Sequence, residues 1–132
     1  MADVIDADGR ILGRLASDVA ERLKNGEEVY IVNAEEAVIS GTPEEVYGRY
    51  REKREAGSKE SGPTFPAAPE RIVKRTVRGM LPDGNDGREA FKRLTAYSGN
   101  PEDRETVDID VKTAAELQGR EHVTVQDVAE NI

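Results

Sequence analysis

The sequence contains no cysteine and no tryptophan, and its single histidine is His122. Without cysteine there is neither a disulfide framework nor a thiolate metal site. One isolated histidine supports neither a histidine-based metal site nor a histidine-activated nucleophile. We therefore expect a protein that is not an enzyme and that uses no metal, no cofactor and no small-molecule substrate.

Long apolar runs are also missing, and none approaches the roughly 20 residues that a membrane-spanning helix needs. The first residues lack the basic and apolar regions of a secretory signal. A length of 132 residues suits one domain with a real hydrophobic core. These features predict a single cytoplasmic domain over residues 1–132 that makes no contact with a membrane.

Aromatic residues make up only 5% of the chain, so a stacking platform for single-stranded nucleic acid is poorly supplied. The net charge of −8 would by itself repel a phosphate backbone. The charge is unevenly distributed, however. Residues 1–48 carry 4 basic and 11 acidic side chains, residues 49–101 carry 12 and 7, and residues 102–132 carry 3 and 9. A cationic middle segment therefore lies between two acidic ones.

The apolar pattern predicts an α/β fold that begins with a strand, a helix and a second strand. Val4 and Ile5 indicate a short strand, and apolar residues from Ile11 to Leu23 recur at helical spacing. Residues 29–32 form an apolar, mostly β-branched run that is typical of a buried strand. Because a βαβ unit places its strands parallel, we expect a single three-layer domain with a central, mostly parallel β-sheet flanked by helices.

Later elements are predicted from their boundaries. Thr42 and Pro43 begin a helix, and Glu45 completes a capping box. The Gly-, Pro- and Ser-rich stretch 57–68 predicts an extended loop. The remaining expected elements are a turn-rich loop at 82–87, a helix at 88–94, strands at 95–97 and 106–109, a helix at 112–118 and a last helix after Thr124.

The most informative stretch is a basic helix expected over residues 69–78. Pro69 suits its first position, and Gly79 with Pro82 supplies its end. Four cations fall at helical spacing on one face, and the other face is apolar apart from a threonine. The four are Arg71, Lys74, Arg75 and Arg78, and the opposite side carries Ile72, Val73, Thr76, Val77 and Met80.

Four cations on adjoining helical turns repel one another, whereas a solvated helix face normally interleaves both signs of charge. This arrangement indicates an anionic partner. Since the planar arginine side chain binds phosphate oxygens bidentately, a polyphosphate surface is the natural candidate. Recognition of the backbone and shape of double-helical RNA fits the composition best.

Further cations extend the predicted surface on both sides of this helix. Residues 49–54 are rich in cations, but Glu52 and Glu55 are interspersed, so a solvated helix end explains them equally well. Arg10 and Arg14 flank the start of the first helix, where free N–H groups bind phosphate. The predicted RNA-binding residues are Arg10, Arg14, Arg49, Arg51, Lys53, Arg54, Lys59, Arg71, Lys74, Arg75, Arg78, Arg88, Lys92 and Arg93.

Four motifs follow one another along the chain. They are Asp6-Ala7 with Gly13-Arg14-Leu15-Ala16-Ser17, Val32-Asn33-Ala34-Glu35 with Ile39-Ser40-Gly41, the nine residues from Lys74 to Pro82, and Gly87-Arg88 with Leu94, Tyr97 and Gly99. In this order they resemble the archaeal form of the large-subunit ribosomal protein thirteen family, over roughly residues 4–100. The resemblance implies a structural constituent of the large ribosomal subunit that binds 23S-type ribosomal RNA, aids subunit assembly, adjoins other large-subunit proteins and catalyses no reaction.

The resemblance also assigns expected roles to residues. Arg14, Lys74, Arg75, Arg78 and Arg88 match basic motif positions of the family and are expected to touch phosphates. Gly79 is expected to permit a tight turn after the helix, and Met80, Leu81 and Pro82 to pack. The sequence departs from the family pattern in the loop 83–87, which is acidic where relatives often carry lysine or arginine, and in its acidic last thirty residues, so the resemblance leaves RNA contact by these two segments open.

Two other function classes stay open on the residues alone. A nucleotide-binding α/β enzyme would use residues 9–14, although neither the G-x-G-x-x-G nor the P-loop pattern is present there. An acidic module for a basic protein partner would use residues 102–132. Arginine outnumbers lysine 13 to 6 and acidic residues are scattered throughout, a balance that resembles proteins of salt-accumulating halophiles.

Overall fold

The computed structural model describes residues 2–59 and 68–132, and in the first range it describes side chains up to residue 53. Two short 3-10 helices, Ala34–Glu36 and Ala114–Leu117, join regular elements. These elements are β1 (Asp3–Asp6), α1 (Leu12–Lys24), β2 (Val29–Val32), β3 (Val38–Ser40), α2 (Pro43–Lys59), α3 (Pro69–Arg78), α4 (Asn85–Lys92), β4 (Leu94–Ala96), β5 (His122–Thr124) and α5 (Val125–Asn131).

A three-stranded parallel sheet in the order β1-β2-β4 is the centre of the fold. Val4 lies opposite Tyr30, and Tyr30 lies opposite Thr95. β3 and β5 form a separate antiparallel pair, in which Ile39 lies opposite Val123. The predicted α/β class with a mostly parallel sheet flanked by helices is therefore confirmed.

Side-chain alternation along the strands places the core on one face of this sheet. Ile5 and Ile31 are fully buried, and they join the hydrophobic core with Leu94. The core is completed by α1 and α3, whose apolar stripes supply Leu15 and Ile72. The helical periodicity of the sequence therefore determines which side of α1 and α3 meets the sheet.

The opposite face of the sheet is covered by the chain that follows β4. The guanidinium carbon of Arg104 lies 4.3 Å from the ring centroid of Tyr30 and 5.8 Å from that of Tyr97. The amide of Val107 donates a 2.8 Å hydrogen bond to the carbonyl of Val4, on the free edge of β1. The strand predicted at 106–109 is wrong, because in the described residues this segment makes that single bond rather than a ladder.

Several predicted boundaries differ from the structure. α2 continues to Lys59, so residues 57–59 of the predicted loop are helical, and residues 60–67 lie outside the described residues. One glycine, which costs about 1 kcal/mol in a helix, does not end a helix that gains a hydrogen bond with each added residue. α4 likewise begins at Asn85, after Gly84 with a φ of 95°, and takes in the second half of the predicted loop 82–87.

The C-terminal elements were predicted only in part. The expected helix at 112–118 is a 3-10 helix of four residues, and β5 was not predicted. β4 lies one residue earlier than the expected strand at 95–97. The last helix is confirmed, because the hydroxyl of Thr124 accepts a 3.1 Å hydrogen bond from the amide of Asp127.

Candidate nucleic-acid interface

The cationic side chains of α3 face outward because the apolar side of the helix is buried. Ile72, Val73 and Val77 have no exposed surface. Because burial of each such side chain contributes roughly 1.5–3 kcal/mol, any rotation of α3 that turned its cations inward would be strongly unfavourable. The cations are therefore held on the outer side, where Arg71 and Arg75 are exposed and Lys74 and Arg78 are partly exposed.

The outer side of α3 forms one wall of a surface groove of about 350 Å³. We call it the α3 groove and define it by its lining residues, which are Arg71, Lys74, Arg75, Arg78 and Phe91. The ammonium of Lys74 lies 5.1 Å from the centroid of the Phe91 ring, which α4 supplies. The structure thus brings together the four cations that helical spacing predicted, and adds an aromatic ring to them.

The α3 groove has no acidic side chain in its lining, as far as the described residues show. In the same residues, the side chains of Arg71 and Arg78 form neither a hydrogen bond nor an ion pair. Arg22 shows the contrast. Its guanidinium lies 2.9 Å from carboxylate oxygens of both Asp18 and Asp3, and the hydrogen bond to Asp18 is the main cause of its raised pKa. The protein therefore neutralises Arg22 internally, whereas the described part of the chain leaves Arg71 and Arg78 available to an external anion.

The position of α3 is fixed at its N-terminal end by the turn after β4. Ser98 donates a 2.8 Å hydrogen bond to the carboxylate of Glu70, in the first turn of α3. The same turn is held by Glu35, whose two carboxylate oxygens accept bonds of 2.9 and 3.1 Å from the amide of Gly99. Part of the Val32-Asn33-Ala34-Glu35 motif therefore helps to orient α3 through this turn, in addition to the packing of the 3-10 helix Ala34–Glu36 on α3.

Asn33 contributes to the same arrangement through its backbone. It adopts a left-handed conformation with a φ of 55°, and its side-chain amide donates a 3.0 Å bond to Asp6. The backbone amide of Asn33 also donates a 2.9 Å hydrogen bond to the carbonyl of Gly99. Asparagine tolerates a positive φ better than most residues, so this position suits it.

Two expectations about the end of α3 are wrong. Gly79 has a φ of −65° and a ψ of −16°, which any residue adopts, so it is not required for a tight turn. Met80 is 40% exposed and Pro82 is also exposed instead of packing, although Leu81 is buried as expected. The helical register that predicted the position of Met80 ends at Arg78, and the chain then leaves the helix axis.

A close backbone approach does occur eight residues later, at Gly87. This residue is buried in the first turn of α4. A Cβ atom added to Gly87 would lie 1.7 Å from the carbonyl oxygen of Pro82. The absence of a side chain at Gly87 therefore lets α4 pack directly on the segment that leaves α3, and this contact helps to position Phe91 beside Lys74.

The predicted cations of α2 lie on a different helix, which packs on α5 as α3 does. Arg49 is exposed, and Nε of Arg51 donates a 2.9 Å bond to the carbonyl of Asn131. The ammonium of Lys53 lies 4.9 Å from the ring centroid of Tyr50. The side chains of Arg54 and Lys59 lie outside the described residues.

Two predicted RNA-binding residues hold the protein itself together. Nη2 of Arg93 donates a 2.6 Å hydrogen bond to the carbonyl of Leu23 at the end of α1, and its buried Nε has no hydrogen-bond partner among the residues that the structure describes. Nη1 of Arg10 donates a 2.9 Å bond to the carbonyl of Val111. The structure therefore does not bring Arg93 and Arg10 to the α3 groove.

The other predicted cations are on the surface. Lys92 is paired with Glu89 at 3.3 Å, an exposed pair that contributes little to stability. Arg14 and Arg88 are exposed, and in the described residues their side chains form no hydrogen bond or ion pair. Both remain available to an external anion.

Phe91 is the lining residue that sequence reasoning missed. The chain has two phenylalanines, Phe65 and Phe91, and Phe65 lies outside the described residues. The available signal was the position of Phe91 within a basic helix, three residues after Arg88 and next to Lys92. Helical spacing within α4 does not show how α4 packs on α3, so it did not predict that the Phe91 ring contacts Lys74.

Neither a metal site nor a membrane-spanning helix is found in the described part of the chain. No group of three or more His, Asp or Glu side chains is arranged to hold a metal ion there. No helix among the described residues is long and apolar enough to cross a membrane.

The family model and the similar proteins described below all indicate the same family. The model of the family described as ribosomal protein L13 matches residues 2–103. The protein named large ribosomal subunit protein uL13 from Archaeoglobus fulgidus is 53% identical over 125 residues, which cover 94% of this chain and 72% of that protein. The protein of the same name from Methanosarcina barkeri is 49% identical over 134 residues, which cover 98% of this chain and 96% of that protein. The protein of that name from Halobacterium salinarum is 43% identical over 130 residues (98% and 89%), so similarity does not single out a halophilic source. The chain belongs to the ribosomal protein L13 family.

Proposed function

We propose that this protein is a structural constituent of the large ribosomal subunit in the cytoplasm, where it binds 23S-type ribosomal RNA and aids subunit assembly. It acts as a single domain over residues 1–132, beside neighbouring large-subunit proteins, and performs no catalysis. The observation that carries the proposal is the α3 groove, in which four cations converge and no described lining residue is acidic. The names of the relatives support the ribosomal assignment.

The groove suits phosphate groups for an electrostatic reason. A protein with a net charge of −8 is repelled by RNA as a whole, so binding needs a surface where positive charge is locally uncompensated. Arg71 and Arg78 supply such charge, and no carboxylate among the described residues competes for them. Each phosphate they neutralise releases condensed counterions, which gives affinity that falls as salt rises.

The test is binding of the full-length protein to purified large-subunit ribosomal RNA over a series of salt concentrations. The variant Arg71→Glu with Arg78→Glu reverses two groove cations. We expect its affinity to fall by roughly tenfold or more at low salt, and the slope of log affinity against log salt to decrease by about 2, one unit for each lost phosphate contact.

The matched control is Lys112→Glu with Arg120→Glu, which changes the net charge equally at two exposed positions of the C-terminal segment. We expect this control to keep the affinity and slope of the unaltered protein. Equal binding by both double variants, with both folded by circular dichroism, would contradict the α3 groove as the RNA surface.

We also propose that the acidic remainder of the chain is an adaptation to a high-salt cytoplasm. The scattered carboxylates and the excess of arginine over lysine, 13 to 6, support this. At molar salt the Debye length is about 3 Å, so only close contacts such as bidentate arginine–phosphate pairs keep much of their strength. Refolding across a salt series tests the idea, and complete folding at low salt would count against it.

A further inference from the structure

The α3 groove contains a feature that phosphate binding does not use, namely the ring of Phe91. The ring is half-buried and packs against the hydrophobic core on one side. Its remaining surface lines the groove, with the ammonium of Lys74 at 5.1 Å from the centroid. An aromatic surface framed by cations is therefore presented to whatever enters the groove.

The size and chemistry of the groove indicate one kind of occupant. A volume of about 350 Å³ lies at the small end of the roughly 300–1,000 Å³ that small-ligand pockets show, so it suits one nucleotide rather than the width of a helix. Aromatic rings bind nucleobases by stacking, and this requires a base whose face is not covered by its neighbours in a duplex. The four α3 cations that line the groove with the ring can bind the phosphates on either side of such a base.

We propose that the α3 groove receives an unpaired nucleotide of the ribosomal RNA, with its base stacked on Phe91 and its flanking phosphates on Arg71 and Arg78. Lys74 has a flexible side chain and moves from the ring to a phosphate when the base enters. This inference rests on the proposed function, because it specifies which part of the RNA that surface holds. It also departs from pure backbone recognition, which the low aromatic content had favoured.

The first measurement is the affinity of Phe91→Leu for purified large-subunit ribosomal RNA. Leucine keeps an apolar side chain of similar size but removes the stacking surface. We expect affinity to fall roughly 5- to 150-fold, which is the range for loss of one stacked base, with an unchanged salt slope because stacking releases no counterions. Phe91→Tyr keeps an aromatic ring and is expected to restore most of the affinity.

The second measurement is ultraviolet crosslinking of the unaltered protein to the same RNA, followed by mass spectrometry of the crosslinked peptides. Direct ring–base contact predicts a nucleotide attached at Phe91. This measurement decides the matter even if Phe91→Leu fails to fold. A folded Phe91→Leu variant that binds normally, together with no crosslink at Phe91, would overturn the inference.

The outcomes separate this inference from the proposed function. If Phe91→Leu binds normally while Arg71→Glu with Arg78→Glu does not, the groove holds backbone alone and the proposed function stands. If neither variant changes RNA binding, both proposals fail. Displacement of the RNA by adenosine monophosphate at micromolar concentration would overturn the inference in favour of a free nucleotide.

Discussion

Gly87 is the position where the structure makes the sharpest prediction about stability. A Cβ atom there would lie 1.7 Å from the carbonyl oxygen and 2.8 Å from the carbonyl carbon of Pro82. Real Cβ contacts are essentially never below 3.0 Å, so Gly87→Ala must separate the two backbone segments by about 1.3 Å, the difference from 1.7 Å. Because the obstacle is backbone and not a flexible side chain, rotamer changes cannot relieve the clash.

The expected magnitude combines two opposing effects. Overpacking of this kind costs about 3 kcal/mol, at the upper end of its usual range, and replacing glycine by alanine in a helix recovers about 1 kcal/mol. Gly87→Ala should therefore lower the free energy of unfolding by about 2 kcal/mol. At roughly 4 °C per kcal/mol for a chain of this size, the melting temperature falls by about 8 °C.

The control is Gly79→Ala in the same short stretch of chain. Gly79 has helical dihedral angles, and its added Cβ would meet nothing closer than 3.6 Å. This substitution should stabilise the protein by about 0.4–1 kcal/mol, because it restricts the unfolded chain. Urea unfolding of both variants measures the difference.

Two results would refute this reasoning. Stability of Gly87→Ala within about 0.5 kcal/mol of the unaltered protein would mean that α4 does not pack on Pro82, since surface substitutions are generally that mild. A loss above roughly 1 kcal/mol in Gly79→Ala would mean that its backbone is not helical, as only an incompatible conformation makes alanine this costly there.

Three further predictions concern internal contacts. Arg93→Met removes the bond to Leu23 and should lower the unfolding free energy by roughly 1–2 kcal/mol, while RNA affinity of the folded protein stays unchanged. Asn33→Ala loses the bond to Asp6 and strains a positive φ, which should cost about 2 kcal/mol, of which Asn33→Gly recovers about half. Burial raises the pKa of Tyr50 above its ordinary value of 10.0, so its stabilising contribution is complete below pH 10 and is lost as the pH rises through the folded-state pKa. Tyr50→Phe should abolish this part of the alkaline loss of stability in urea unfolding measured from pH 8 to 12.

Each of these predictions has a contrary outcome. Reduced RNA affinity of folded Arg93→Met would mean that Arg93 takes part in RNA binding. An Asn33→Gly variant less stable than Asn33→Ala would show that the left-handed backbone is not the source of the cost. Parallel stability profiles for Tyr50→Phe and the unaltered protein up to high pH would mean that Tyr50 is not buried as described.

Local signals in the sequence were sufficient for α3. Its predicted bounds of 69–78 are those of the structure, because Pro69 at the first position and Gly79 with Pro82 after the last are both local features. The spacing of Arg71, Lys74, Arg75 and Arg78 likewise predicted their common face. The helical period of α1 and the short apolar runs of β1 and β2 are local signals of the same kind, and all three elements were predicted from them.

These local signals did not predict contacts between distant parts of the chain. The pairing of β3 with β5 joins residues 38–40 to 122–124, and a three-residue strand with one buried position has no detectable period. The boundaries of α2 and α4 in the structure also differ from the predicted ones. Gly57 and Gly87 were assigned to loops, but each lies within a helix. In each case the energy of packing or of helix propagation outweighed a local preference.

By itself, the sequence determined the family, the parallel start of the fold and the cationic side of α3. These depend on caps, spacing and motif order, which are properties of neighbouring residues. Only the tertiary structure decided that Arg10 and Arg93 bind carbonyls of their own chain and that Phe91 joins the cations. The physical reason is that a charged or aromatic side chain takes its partner from whatever the folded chain brings within contact distance, and this depends on how helices cross rather than on their composition.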